Sequence, residues 1–78
     1  MTTQTKHLTP NGYVEIATGP CVATPVDAVK MRVHVGTVAP AADTVDFHPT
    51  ANLAYSGAEK VYARAIDGSL DVVVTEVR

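Results

Sequence analysis

Asp43, Asp46 and His48 lie within six residues of one another, and Asp46 and His48 fall on the same side of an extended segment. Carboxylate and imidazole are ligands that a divalent metal accepts together. No CxxC, HxxxH or calcium-loop spacing accompanies them, so the cluster reads as the solvated side of an edge strand before Pro49. Ser56 and Ser69, with His7, His34 and His48, supply the residue types of a hydrolytic triad. They lack a nucleophile elbow, and a short chain has little material to wall off a cleft from water. Gly12, Gly19, Gly36, Gly57 and Gly68 occur singly at turn positions and compose no phosphate loop. A non-enzymatic protein without cofactor or bound metal is the expectation.

Two further features bear on binding. Lys30, Arg32 and His34 alternate along one segment and would form a cationic stripe, its members about 6.6–6.8 Å apart on a strand. The stripe suits an acidic partner or an anionic ligand; as a solvated face it would be answered by Glu15 or another acid on a neighbouring strand. Cys21 stands alone, so no intrachain disulfide staples the fold. With no basic cluster nearby in sequence, it reads as a small buried hydrophobe.

The elements that would position these groups are strands. "AVKMRVHVG" places Val29, Met31, Val33 and Val35 on one face and the cationic stripe on the other, the pattern of a half-buried antiparallel strand. "YVEIA" places Val14 and Ile16 together after the Asn11-Gly12 turn. "VDFHP" directs Val45 and Phe47 inward, and "NLAYS" does the same for Leu53 and Tyr55. Asp67-Gly68 is a strong hairpin signal. Taken as a two-residue loop, it sets Ala65 opposite Leu70, Ala63 opposite Val72 and Val61 opposite Val74, all on an apolar face. The reverse face pairs Arg64 with Asp71, Tyr62 with Val73 and Lys60 with Thr75. The first six residues are the expected hairpin core. Tyr62, Ile66, Val73 and Val77 make the reverse face apolar enough to serve as an oligomer or partner interface.

Seventy-eight residues make one domain. Val contributes 13 residues and Thr 10, whereas Leu, Ile and Phe together contribute six and Trp none, so a strand-rich fold with a thin core is expected. Proline at 10, 20, 25, 40 and 49 interrupts any helix. Six or seven short strands follow, forming a small antiparallel β-sandwich or barrel that closes on the C-terminal β-hairpin. "MTTQTKHLTP" reads as a flexible N-terminal arm or a poorly anchored edge strand, which leaves residues 11–78 as a single β domain. A formal charge of −2 without a basic run predicts no nucleic-acid partner. No apolar stretch suits a membrane span or a signal peptide, so synthesis in a reducing cytoplasm is expected.

The second half carries Tyr55-Ser56-Gly57, the segment Val61 to Ala65 ("VYARA") and the segment Val72 to Glu76, which ends in "VTE". In these features it resembles the small β-rich accessory proteins of tailed-phage virions. The resemblance covers about half the chain. It implies a capsid-decoration, head-fibre or tail-associated subunit, multimeric and bound to a larger particle, with the virion as its location after assembly in the host cytoplasm. The thin core and the apolar reverse face point the same way, toward a homo-oligomer such as a trimer seated on a larger particle, which the resemblance implies to be a capsid or similar assembly. The alternative is a monomeric binding module, an inhibitor or a carbohydrate-binding domain, using the loops from Asp43 to Asn52.

Overall fold

The computed structural model describes residues 1–27 and 29–77, and eight strands account for most of them. They are β1 (Thr2–Leu8), β2 (Val14–Thr18), β3 (Cys21–Pro25), β4 (Met31–Gly36), β5 (His48–Thr50), β6 (Leu53–Tyr55), β7 (Lys60–Ala65) and β8 (Leu70–Glu76). Two four-stranded antiparallel sheets result: sheet 1 in the order β1-β8-β3-β6, and sheet 2 in the order β2-β7-β4-β5. The Cα envelope is 15 Å in its shortest dimension, the thickness of two sheets stacked about 10 Å apart. The fold is an all-β sandwich.

Chain order alternates between the layers. Among consecutive strands, only β4 and β5 share a sheet and pair; every other connection crosses from one sheet to the other. Crossing strands of this kind stack their apolar faces against each other instead of sharing a ladder. The core is therefore built from Leu8, Leu70, Val72, Val74, Cys21 and Ala23 of sheet 1, and Ile16, Ala17, Met31, Val33, Val61, Ala63 and Ala65 of sheet 2. Leu53 and Tyr55 pack at its margin.

The C-terminal hairpin register does not form. β7 and β8 are joined through Asp67-Gly68, and Gly68 takes the positive φ of 66° that made it a turn signal. The two strands nevertheless lie in opposite sheets. Ala65, Ala63 and Val61 bury the same face that a hairpin would bury, and so do Leu70, Val72 and Val74. Alternation identifies which face of each strand is apolar; it is blind to whether the partner face lies beside it or above it. The Arg64–Asp71 pair is lost with the register: Asp71 lies opposite His7, and Arg64 lies opposite Arg32.

Residues 1–10 are no detached arm. All seven residues of β1 pair with β8, and Leu8 is fully buried opposite Leu70. Thr9 then bridges to Gly12 around Pro10-Asn11, and its carbonyl accepts a hydrogen bond from Ala65 N–H. β3 is an interior strand although it ends in proline. Val26 N–H donates to Asp71 on the β8 side, so the missing N–H of Pro25 faces the other side. β6 reaches only from Cys21 to Ala23 there, and no ladder bond is forfeited.

Five inward assignments also change: Val35 is exposed at the end of β4, Phe47 lies half-buried against the outward-facing Arg32 guanidinium, and the other three are Val45, Val29 and Val14. Val45 is 86% exposed on the β4–β5 connection, and Val29 lies exposed ahead of β4. In β2 the register shifts between Glu15 and Ala17, so Ile16 and Ala17 are both buried while Val14 is exposed. A bulge of this kind places two successive side chains against the core.

Candidate functional site

The outer faces of the two sheets differ sharply in chemistry. On sheet 1, β8 presents Asp71, Val73, Thr75 and, just beyond the strand, Val77. Beside it β3 presents Val22 and Thr24, with Val26 following. The edge strand β1 adds Thr3, Thr5 and His7. Val22, Val26, Val73 and Val77 are 53%, 60%, 37% and 54% exposed, and they sit on adjacent strands. His7 and Asp71 are the ionisable side chains of this face among the described residues, and they satisfy each other: His7 Nδ1 donates to Asp71 Oδ1 at 2.8 Å. Thr3 and Thr75 hydroxyls are hydrogen-bonded at 2.9 Å across the same ladder.

Sheet 2 turns cations and aromatic rings outward. Arg32 and Arg64 stand directly opposite each other on β4 and β7, and His34 stands opposite Tyr62 one pair along. The Arg32 guanidinium lies 4.4 Å from the centroid of Phe47. Arg64 Nη1 donates to the Pro10 carbonyl at 2.7 Å, and its guanidinium lies 6.0 Å from the Tyr13 ring centroid. His34 Nδ1 donates to the Asp46 carbonyl at 2.7 Å, and its ring sits 6.4 Å from both Tyr13 and Tyr62. Glu15 accepts a hydrogen bond from Thr18 and faces Lys60 Nζ at 3.8 Å.

The anticipated stripe is thus divided. Arg32 and His34 share the outer face of sheet 2, while Lys30 precedes β4 and is exposed. The acid expected to answer it, Glu15, is engaged with Lys60 across the β2–β7 ladder. Arg64, which joins Arg32 here, was hidden from a sequence reading by the hairpin register.

The proposed interface residues are divided as well. Tyr62 is 5% exposed, covered in the middle of sheet 2 by His34 and its neighbours, and so is no contact residue. Val73 and Val77 lie on the outer face of sheet 1 and remain accessible; Ile66, 38% exposed, sits where the chain crosses from β7 to β8. Tyr62 and Val73 are on opposite outer surfaces of the sandwich. Val22 and Val26 complete the sheet 1 patch and escape a sequence reading because Pro25 argues against a central strand there. The alternation of buried Cys21, Ala23 and Pro25 with exposed Val22, Thr24 and Val26 was the available signal.

A cleft of about 410 Å³ beside β4 is lined by His34, Val35, Val45, Asp46, Phe47 and His48. It contains Asp46 and His48 of the acidic cluster, yet no three His, Cys, Asp or Glu side chains converge on a metal position among the described residues. Ser56 and Ser69 are both exposed, and neither is hydrogen-bonded to a histidine among the described residues. Cys21 is buried; burial, and then the Glu76 carboxylate, push its thiol pKa up. No protein-family model, curated protein or solved structure matches this chain.

Proposed function

We propose that this protein is a non-enzymatic assembly subunit that packs against a second copy of itself through the outer face of sheet 1. The observation that carries this reading is the four-valine patch of Val22, Val26, Val73 and Val77, set among threonines, with Asp71 the acid of this face among the described residues and hydrogen-bonded to His7. A largely apolar face can be self-complementary, because a twofold contact sets the same patch of both copies together at little electrostatic cost. Apolar area of this kind is a common site of association.

The sheet edges favour the same geometry. β2 carries a bulge, β5 contains Pro49, β6 is three residues long, and β1 turns Lys6 toward the core side of the sandwich. Each feature obstructs strand addition at an edge, leaving a face as the route to association. A twofold face-to-face contact closes at a dimer. The trimer anticipated from the sequence would require two different patches meeting head to tail. The larger assembly is the kind implied by the second-half resemblance, a tailed-phage particle on which the subunit sits as a decoration or accessory protein.

Solution mass by light scattering across a concentration series tests this reading. A dimer that Val73→Lys converts to monomer is the expected result. A monomer of 8.2 kDa at the highest concentration overturns it. The loop cleft at Val45–His48 then favours the monomeric binding module, and ligand screening belongs there.

A further inference from the structure

We infer that self-association through the outer face of sheet 1 is proton-linked, strengthened when His7 is protonated and weakened when it is neutral. The inference rests on the twofold contact proposed above and names what controls it. Its geometry lies in one row of the sheet. His7 on β1 stands opposite Asp71 on β8, with His7 Nδ1 2.8 Å from Asp71 Oδ1. On the other flank of Asp71, Val26 N–H donates to the Asp71 carbonyl at 2.9 Å. The next outward-facing row sets Val73 between Thr5 and Thr24. Asp71 thus adjoins two of the four patch valines, Val26 across the ladder and Val73 along the strand. A contact that covers those valines also covers its carboxylate.

The other charged groups around this row leave the carboxylate to His7. Lys6, the neighbouring cation on β1, stands opposite buried Val72 and faces the other side of the ladder. β3 has no ionisable side chain except buried Cys21, and exposed Asp27 beyond its end adds negative charge. Glu76 and the Met1 amino group lie toward the far end of the β1–β8 ladder, where Glu76 stands opposite Thr2. Across the core, Glu15 of β2 and Lys60 of β7 face each other, and Arg64 of β7 is bonded to the Pro10 carbonyl. With His7 protonated, the row carries a cation and an anion held together. With His7 neutral, Nδ1–H still donates, but the carboxylate keeps its full charge. A twofold contact draws two copies of this row out of water, and an uncompensated charge costs more to bury than a compensated pair. Dimerisation therefore takes up protons, and the dimer is tighter on the acid side of the histidine range than on the alkaline side.

The test is the dimer dissociation constant of the full chain, measured by sedimentation equilibrium at constant ionic strength at about pH 5.5 and about pH 8, on either side of the histidine range. The constant should be lower at the acidic pH by about tenfold or more. His7→Gln should dimerise weakly at both pH values, with no difference between them. Asp71→Asn leaves protonated His7 as the uncompensated charge, so its pH dependence should reverse in sign. Both side chains are more than half exposed, so both variants should keep the fold. A chain that is monomeric at both pH values overturns the dimer itself. A dimer with the same dissociation constant at both, or a His7→Gln variant that keeps the original pH response, overturns the proton linkage alone.

Discussion

His7 Nδ1 and Asp71 Oδ1 are hydrogen-bonded at 2.8 Å across the ladder that joins the first strand of the chain to the last. One position further along, Leu8 is buried opposite Leu70. The pair marks the register in which Leu8 reaches the core; a slip of one residue would turn Leu8 to solvent and His7 inward. Its own energy is small, because both side chains are more than half exposed.

Asp71→Asn should therefore lower stability by less than about 1 kcal/mol, whereas Leu8→Ala should lower it by about 2–5 kcal/mol. A domain of this size has a total stability of only ~4–12 kcal/mol, so the second loss threatens folding. Urea denaturation of both variants measures the contrast. Equal effects would mean that β1 is held by its surface pair and not by Leu8.

Val73→Lys and Tyr62→Ala should separate assembly from folding. Val73 lies on the accessible valine patch, and a lysine there should abolish dimerisation while changing monomer stability by about 0.5 kcal/mol or less. Tyr62 is covered by its own sheet, and its truncation should cost roughly 3 kcal/mol or more. Light scattering and thermal unfolding on the same two proteins check both halves of the statement.

Gly57 is required by a side chain and not by its own backbone angle. A Cβ at this position would stand 2.6 Å from Tyr55 Cζ, and the Tyr55 hydroxyl accepts the Glu59 N–H at 3.1 Å. Gly57→Ala should displace the ring, break that bond and destabilise the β6–β7 connection by about 1–3 kcal/mol. At Gly12 a Cβ meets nothing within 4 Å, so Gly12→Ala should be close to neutral. Melting temperatures of the two alanine variants decide the matter.

Cys21 should make the fold sensitive to alkaline pH. Burial, followed by the Glu76 carboxylate, raises the thiol pKa, so the folded chain retains a proton that the unfolded chain releases. Stability is then level below the ordinary thiol range and falls as pH rises through it. Cys21→Ala should remove that decline, and iodoacetamide should label the native thiol more slowly than the denatured one. Parallel pH–stability curves for the two proteins would refute the linkage.

Much of this protein was legible residue by residue. Val61, Ala63, Ala65, Leu70, Val72 and Val74 are core residues because period-two alternation states directly which side of a strand avoids water. The high Val and Thr content and the scattered prolines dictate strands in place of helices, and the Asp67-Gly68 turn is where the chain reverses. Pairing was not legible. A strand with one apolar face is equally satisfied beside its successor or stacked over it, and local alternation is identical in the two cases. The tertiary structure chose stacking, and that choice separated Tyr62 from Val73, exchanged Asp71 for Arg32 opposite Arg64, and gave Asp71 to His7. Both candidate faces are consequences of it: each gathers residues from strands remote in sequence, and only the sheet order decides which of them become neighbours.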